Sequence, residues 1–276
     1  MNKKLISIII RTKNEERWIA NCLSKILSQK KVKYEVIIVD NNSTDQTLEI
    51  AKTFDVKILK ISRYKPGKSL NIGIQKAKGA IIVCLSAHCI PCDDYWLNNL
   101  TKDVFRKKLA GIYGRQVPLP YSSDNDKRDL LNTFGLDRKI QRKDSFFHNA
   151  CSAFKKSLWR KHKFDEKLTN IEDRVWAHNL IKKGFHIIYE PKASVFHWHG
   201  IHQDLNSQRS SQVVKILESL GNDFKYENFK KINDLNVNVI LPHRGLSKKY
   251  KNSSLLQNCI DNSNKNKLIN NIYVFV

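Results

Sequence analysis

The chain has 276 residues, 41% of them hydrophobic, and a formal net charge of +23 at pH 7. This length supports one large domain, or one domain with an additional fragment. No apolar run approaches the roughly 20 residues of a membrane-spanning helix, so we expect no such helix in these 276 residues. The N-terminal stretch MNKKLISIIIRTKNEE lacks a small-residue cleavage site, so we expect a first strand in place of a signal peptide and a cytoplasmic location.

The excess of positive charge points to anionic partners, such as phosphorylated small molecules, anionic lipid or nucleic acid. The lysines are spread along the chain without a basic arm or a base-stacking aromatic pattern, so we expect no nucleic-acid partner. The six cysteines are scattered, which is typical of reduced thiols. Cys89 and Cys92 form a CxxC, but without a second ligand pair at similar spacing a role as turn residues is favoured over metal or redox chemistry.

The first sixty residues alternate between buried strands and amphipathic helices. Polar or cap-rich loops follow the first two strands, and Ser43 or Thr44 is the predicted N-cap of the second helix. Three β-units joined by helices predict an α/β fold with a doubly wound, mostly parallel sheet. In chain order the predicted elements are strand Leu5–Ile10, a helix from Trp18 to Leu27, strand Tyr34–Val39, helix Leu48–Phe54 and strand Val56–Ile61.

A third helix and a fourth strand come next. Ser69 is the predicted cap of a helix running to Lys78, with Gly79 as its C′ residue. Lys68, at the N-terminus of that helix, is a candidate partner for a diphosphate. The run Ala80–Asp94 begins as a buried strand and stops at Ser86-Ala87-His88. Ligands of open α/β sheets collect beyond the carboxyl ends of strands, so this stop predicts the floor of the active site.

The ordered motifs SIIIRTKNE, EVIIVDNNSTDQT, PGKSLNIGIQKAKG and IIVCLSAHCIP resemble the N-terminal half of family 2 inverting glycosyltransferases, which have the GT-A, nucleotide-diphospho-sugar transferase-like fold. The order continues with NIEDRVW, a Gly-aromatic turn at Gly184-Phe185, and YEP…VFH ending at His197. The resemblance covers about residues 5–220. It implies transfer of a sugar, of hexosyl type, from a nucleotide-sugar to an acceptor hydroxyl with inversion, in the biosynthesis of a cell-surface polysaccharide or glycan.

The resemblance also implies roles for individual residues. Asp173, paired with Glu172 at the start of an amphipathic helix, is the expected base; stabilisation of the helix dipole is the alternative for this pair. Asn41 stands where the family often has a second acidic residue, which leaves the identity of the base open. The expected donor is therefore a UDP-, GDP- or dTDP-sugar. The positions expected to bind the nucleotide-sugar are Arg11, Asn14, Glu15, Asp40, Asn41, Lys68, Ser86 and His88.

The largest departure from the family is at Ser86-Ala87-His88, where the family usually carries Asp-x-Asp to hold Mn²⁺ or Mg²⁺. Three alternatives stay open. His88 with His197 binds the metal; Asp93 or Asp94 substitutes from further along; or Lys68 and His88 replace the metal as cationic groups. A structural role for His88 is a fourth interpretation. Because the acidic pair is missing, a second function also stays open: the chain is a non-catalytic relative that binds nucleotide-sugars without transferring the sugar.

The acceptor side is expected along residues 128–152 and at the start of the helix that follows Glu172. His148, Asn149 and Trp176 are the candidate acceptor-side residues, although aromatic and amide side chains suit an ordinary core as well. His197 and His199 form an HxH pattern, which on a strand places both rings on one face. A glycan or lipid-linked molecule is the expected acceptor, and the basic charge is compatible with peripheral contact with the anionic inner membrane face.

After a helix from about Gln208 to Leu220 the chain divides into a polar linker, 221–236, and a C-terminal segment, 237–276. The segment predicts a strand from Val237, a helix containing Leu255 and Cys259, and a strand Ile272–Val276. It resembles the start of acylneuraminate-type cytidylyltransferases, whose phosphate loop matches Arg244, Gly245, Ser247 and Lys248. It is too small to bury a core, so we expect a short α/β appendage or a truncated domain without cytidylyl transfer.

Overall fold

A computed structural model describes residues 4–201, 207–220, 237–242 and 269–275. The chain divides into two compact units, residues 1–220 and 221–276. No helix within the described ranges is long and apolar enough to span a membrane. Three predicted features lie outside the described residues: the linker, the helix containing Cys259 and the phosphate loop at Arg244–Lys248.

The first unit alternates strands and helices along the chain, as the hydrophobic pattern predicts. Its strands are β1 (Ile6–Thr12), β2 (Tyr34–Asp40), β3 (Lys57–Lys60), β4 (Ile81–Ser86), β5 (Cys89–Pro91), β6 (Leu109–Pro118), β7 (Lys139–Gln141), β8 (Cys151–Lys155) and β9 (His186–His197). Its helices are α1 (Ile19–Leu27), α2 (Thr47–Lys52), α3 (Pro66–Lys76), α4 (Trp96–Thr101), α5 (Asp124–Thr133), α6 (Lys156–Lys161), α7 (Glu172–Ile181) and α8 (Ser207–Leu220).

These nine described strands form one mixed sheet. Eight of them follow the order β3-β2-β1-β4-β8-β6-β9-β5, and β7 pairs with β9 beside this path. Pairing is parallel from β3 to β4, antiparallel on both sides of β8, and parallel again between β6 and β9. The long strand β9 also pairs with β7 along its first half and with β5 at its C-terminal end. The α/β architecture expected from the sequence is confirmed, with antiparallel strands entering after β4.

Both faces of β1 are buried, which explains its uninterrupted run of isoleucines. Ile8 and Ile10 belong to the core cluster that includes α1, whereas Ile9 packs with Leu70 and Ile74 of α3. Helix α3 approaches the sheet closely at Gly73, where a Cβ would lie 2.6 Å from Cγ2 of Ile9. The helices on the two faces therefore fix the strand ends that carry the polar loops.

Three predicted caps are wrong. The N-cap of α2 is Gln46, because the hydroxyl of Ser43 donates to the carboxylate of Asp40 within the preceding turn. Helix α3 begins earlier than predicted, at Pro66, a residue suited to the first helical position. Its Ser69 hydroxyl donates to the carbonyl of Lys65. Gly79 lies beyond the C-cap Ala77 and donates its N–H to Ser7.

In the second unit, β10 (Val237–Pro242) pairs in parallel with β11 (Ile269–Phe275). Both predicted strands of the C-terminal segment are therefore present, with β11 beginning three residues before the expected Ile272. Parallel strands require a crossover connection, which agrees with an α/β segment.

Candidate active site

A cavity of about 510 Å³ lies at the carboxyl ends of the central strands of the first unit. Residues that follow β1, β2 and β4 form one side of it, and the loop after β9 closes another. Apolar side chains also line the cavity. Phe146 and Phe147 come from the loop before β8, and Val213 and Leu217 come from α8. This position, a crevice beyond strand ends, is where open α/β sheets bind ligands.

Two buried carboxyl groups, Glu172 and Asp173, open helix α7 and line the cavity. Oε1 of Glu172 accepts from the Arg11 guanidinium at 3.0 Å, so this carboxylate forms an ion pair. Asp173 instead accepts backbone N–H groups, from Asn149 at 2.8 Å and from Arg174 at 2.8 Å. Each oxygen of Asp173 thus has one donor and keeps lone-pair capacity for a further proton or hydrogen bond.

The backbone immediately before this pair is unusual. Ile171, the N-cap of α7, lies in the left-handed region with φ 46° and ψ 33°. β-Branched residues adopt this conformation rarely, because the Cβ branches approach the backbone. The turn it creates places two acidic side chains in the first helical turn, where the helix dipole stabilises negative charge.

Burial raises the pKa of both carboxyl groups above their ordinary values. At Glu172 the charge of Arg11 opposes this effect and the charge of Asp173 adds to it. At Asp173 the hydrogen bonds from Asn149 and Arg174 oppose it. A buried carboxylate with a raised pKa is a stronger proton acceptor than a solvated one, so Asp173 has the environment of a general base.

The raised pKa of Asp173 predicts the pH dependence of any reaction that uses it as a base. Only the ionised form accepts a proton, so kcat/KM should fall as the pH decreases through the raised pKa. The acidic limb should therefore lie above the value of about 3.9 expected for an ordinary aspartate. A pH profile of kcat/KM checks this, with circular dichroism over the same range to exclude unfolding. A profile that stays flat down to that ordinary value would contradict the assignment.

Three histidines that line the cavity lie close together. The ring centroids of His88, His197 and His199 are 4.5 to 5.1 Å apart. Burial is the main cause that lowers the pKa of both His197 and His199, and the neighbouring imidazoles lower it further. The neutral forms of both rings are therefore favoured. Within the described residues both ring nitrogens of His197 are buried without a hydrogen-bond partner. Neutral imidazoles with free nitrogens are suitable metal ligands, so this cluster fits a metal ion.

The family model for glycosyl transferase family 2 matches residues 7–162, more than half of the chain. The chain belongs to glycosyl transferase family 2. The matched region contains β1 to β8 and every strand end that forms the first side of the cavity. Helix α7, with its carboxyl pair, and the end of β9 lie beyond the matched region.

Curated proteins similar to this chain include two that are glycosyltransferases by name. A dolichyl N-acetyl-glucosaminyl phosphate diacetamido-dideoxy-glucuronosyltransferase of Methanococcus voltae is 37% identical over 122 residues, 40% of this chain and 38% of that protein. A poly(ribitol-phosphate) beta-glucosyltransferase of Bacillus spizizenii is 32% identical over 201 residues, 64% of this chain and 30% of that protein. The chain thus spans less than two fifths of the length of these relatives.

Among solved structures, a mannosyltransferase from Pyrobaculum calidifontis in complex with GDP-Man and Mn²⁺ has a TM-score of 0.56 and 21% identity. The similarity covers 72% of this chain and 58% of that one. At this identity the likeness establishes the fold, which confirms the expected GT-A class for this family 2 glycosyltransferase.

The structure gathers most of the sequence-predicted site residues of this glycosyltransferase around the cavity. Burial lowers the pKa of His148 to about 3, and its Nδ1 lies 3.1 Å from Nε2 of Gln116, so it presents a neutral ring. The predicted residues that line the cavity are Arg11, Glu15, Asn41, Ser86, His88, His148, Glu172, Asp173 and His197.

Other predicted residues lie elsewhere. The carboxylate of Asp40 is fully buried and accepts from Ser43, and the Asn14 amide oxygen accepts from the backbone of Thr44, so both hold loops. Asn149 is buried behind the carboxyl pair, donating its backbone N–H to Asp173. Lys68 is exposed on α3, outside the residues that line the cavity.

Trp176 is wrong as an acceptor-side residue. Its ring packs among Phe147, Phe154 and Phe164, and its Nε1 donates to the carbonyl of His162 at 2.7 Å. The side chain is 3% exposed and belongs to the core on the α7 side of the sheet. Trp176 is therefore an ordinary core residue, which is the alternative given above for the aromatic residues of this region.

Asp93 and Asp94 do not replace the missing acidic pair. Asp94 pairs with Lys30 at 2.9 Å and accepts from Ser28, and Asp93 accepts from the backbone of Tyr95. Neither lines the cavity. The chain turns away after β5, which pairs with the end of β9, so these carboxylates belong to the α1–α4 side.

His199 and Arg209 are among the cavity residues that the sequence did not single out as site residues. His199 follows the end of β9 in a bend, so its ring meets His197 through a turn and not through the alternation of a strand. Arg209 lies on α8 and donates to the amide oxygen of Asn170. The HxH pattern of the sequence was a signal for His199. The polar pattern of α8 contained no signal for Arg209.

Proposed function

We propose that this chain transfers a hexosyl group from a nucleotide-sugar to an acceptor hydroxyl with inversion. The observation that carries the proposal is the buried carboxyl of Asp173, whose pKa is raised, beside a cavity at the ends of β1, β2 and β4. The relatives that are glycosyltransferases by name support the same reaction class.

Asp173 is the base of the proposed reaction. The acceptor hydroxyl gives its proton to an oxygen of Asp173 while its oxygen attacks the anomeric carbon of the donor. The bond from that carbon to the diphosphate oxygen breaks, and its electron pair leaves with the diphosphate. A single displacement inverts the anomeric configuration. Glu172, neutralised by Arg11, orients the guanidinium and is the second carboxyl of the site.

The donor diphosphate is proposed to meet the cationic side chains of the cavity. Arg11, Lys13, Arg174 and Arg209 line it together with three acidic residues, Glu15, Glu172 and Asp173. A divalent ion, held by His88 and His197, would add positive charge opposite the diphosphate when bound. The similar mannosyltransferase structure contains Mn²⁺ together with GDP-Man, which supports a divalent metal as part of the proposed reaction.

A thermal-shift screen with UDP-, GDP-, dTDP- and CMP-sugars tests donor binding. A bound donor stabilises the folded state in proportion to RT ln(1 + [L]/Kd), so we expect one nucleotide class to raise Tm. Arg11→Met should abolish this shift, whereas Lys52→Met, a surface lysine outside the cavity, serves as the matched control. Absence of a shift with every donor, together with absence of nucleoside diphosphate release, would contradict the proposal.

Lys68 can be tested in the same screen. The sequence predicts a contact with the diphosphate, but the side chain is exposed and outside the cavity lining. Loss of the donor-induced shift in Lys68→Met would support the contact, and an unchanged shift would remove it.

The acceptor proposed is a glycan or a lipid-linked molecule of the cell surface. The names of the relatives support this class, and the net charge of +23 favours peripheral contact with an anionic membrane. The second candidate, a protein that binds nucleotide-sugars without transfer, is less supported because the carboxyl pair and Arg11 are together in the cavity. Release of nucleoside diphosphate only when an acceptor is added distinguishes the two.

The C-terminal segment is proposed to be related to the start of a cytidylyltransferase-like domain. The parallel pair β10–β11 supports an α/β segment there. No cytidylyl transfer is proposed for it, and limited proteolysis between residues 221 and 236 would test whether the two units separate.

A further inference from the structure

The three histidines of the cavity have the spacing of a ligand set. His88 follows β4, His197 ends β9 and His199 lies two residues later, so the chain brings them together from two distant segments. One ring nitrogen from each lies within 4.8 Å of the other two. Nitrogens about 2.1 Å from a shared ion are at most about 4.2 Å apart, so small side-chain rotations bring all three to bonding distance.

Two of the rings are already held in the tautomer that metal binding requires. Nδ1 of His199 lies 2.9 Å from the carbonyl oxygen of Gly200, and Nδ1 of His88 lies 2.7 Å from Oε1 of Glu15. A carbonyl or ionised carboxylate can only accept, so each Nδ1 carries the proton and each Nε2 keeps its lone pair. Metal-ligating histidines nearly always make such an outer contact with a carboxylate or a backbone carbonyl.

The third ring, His197, is the most deeply buried. It is 1% exposed, and neither of its nitrogens has a hydrogen-bond partner within the described residues. Leaving a buried polar group unpaired is unfavourable, so such groups in folded proteins indicate a further partner, such as a water molecule or an ion. A metal ion between the three rings supplies that partner.

We propose that His88, His197 and His199 form a three-imidazole centre that selects a transition-metal ion, Mn²⁺, Co²⁺ or Zn²⁺, over Mg²⁺ and Ca²⁺. The ligand set contains no carboxylate, whereas Mg²⁺ and Ca²⁺ require oxygen ligands. Imidazole suits first-row transition ions, whose affinities rise from Mn²⁺ towards Co²⁺ and Zn²⁺. The inference deepens the proposed function and rests on it for the diphosphate, which would take the coordination positions that three protein ligands leave open.

Metal binding without donor tests the centre directly. The full chain, freed of metal with EDTA, is titrated with Co²⁺ and followed by its visible absorption and by calorimetry. We expect one Co²⁺ per chain, displaced by Zn²⁺ but not by a roughly 100-fold excess of Mg²⁺. Absence of Co²⁺ binding, or displacement by that excess of Mg²⁺, would overturn the proposal.

Variants assign the ligands. His197→Gln and His199→Gln should each weaken Co²⁺ binding more than about 100-fold, and Glu15→Ala, which removes an outer contact, should weaken it about 10- to 100-fold. His162→Gln, at the C-cap of α6 and outside the cavity lining, should bind as the wild type does. Thermal melts confirm folding, and His88→Gln replaces any variant that fails to fold. Unchanged affinity in the folded His197 and His199 variants would exclude the three-histidine set.

Transfer assays separate this inference from the proposed function. Stoichiometric Co²⁺ binding without transfer from any donor would support the metal centre and contradict the glycosyl transfer. Full transfer in EDTA, by a protein that binds no Co²⁺, would overturn the metal centre but not the proposed function. Cationic side chains alone would then stabilise the leaving diphosphate.

Discussion

Asp173→Asn is expected to lower kcat by about 10²- to 10⁴-fold, the usual contribution of a positioned general base. The amide has nearly the same shape as the carboxylate but cannot take the proton of the acceptor hydroxyl. Donor affinity should persist, because Arg11 pairs with Glu172 and not with Asp173 in the described structure. Release of nucleoside diphosphate measures kcat, and calorimetry measures donor affinity.

The controls for Asp173→Asn follow from its hydrogen bonds. Each oxygen of Asp173 accepts from a backbone N–H group. In the variant one of these N–H groups would face the amide NH₂ in place of an oxygen, and the lost hydrogen bond should lower the free energy of unfolding by about 1–3 kcal/mol. A thermal melt therefore sets the assay temperature. Asp55→Asn, an exposed carboxylate before β3, should leave both activity and Tm unchanged. Turnover near the wild-type value in folded Asp173→Asn would exclude this residue as the base.

Trp176→Ala is expected to lower the free energy of unfolding by about 3–5 kcal/mol, the range for removing a large buried aromatic side chain. The centroid of the indole ring lies 5.2 to 5.6 Å from the centroids of three phenylalanine rings, and its Nε1 donates a hydrogen bond to the carbonyl of His162. Its removal leaves a cavity between α7 and the sheet.

Urea unfolding followed by circular dichroism measures the effect of Trp176→Ala, since a signal from tryptophan fluorescence would change with the substitution itself. Trp176→Phe should cost less, because most of the packing remains. Leu136→Ala, whose side chain is 73% exposed, should change the free energy by no more than about 0.5 kcal/mol. A loss below that of Trp176→Phe would contradict the packing argument.

The strands that carry the site were predictable because their burial on both faces leaves uninterrupted apolar runs. β1, β2 and β4 begin or end within two residues of their expected bounds, and Glu172 does open a helix. The polar loops after these strands could also be placed, since the carboxyl ends of parallel strands share one edge. Local pattern and global fold agree at these positions.

The parts that could not be predicted depend on tertiary partners. Ser69 has the residue type of a cap, yet Pro66 and Gly67 already lie inside α3, where Gly67 packs against the backbone of Asp165. Trp176 has a type common in sugar-binding sites, and only the positions of three distant phenylalanines show that it is core. Arg209 reaches the cavity through a helix whose sequence does not indicate a buried face.

The left-handed backbone at Ile171 sets apart the start of α7 from the rest of the fold. The other described non-glycine residues with positive φ are Asn14, Lys31, Asn42 and Lys108, none of them β-branched, whereas here a β-branched residue occupies a conformation it disfavours. Such local frustration persists where surrounding contacts over-determine the backbone, and it is concentrated at functional sites. The direction of the Glu172 and Asp173 side chains is therefore imposed by the contacts of the surrounding fold and not by the local preference of Ile171.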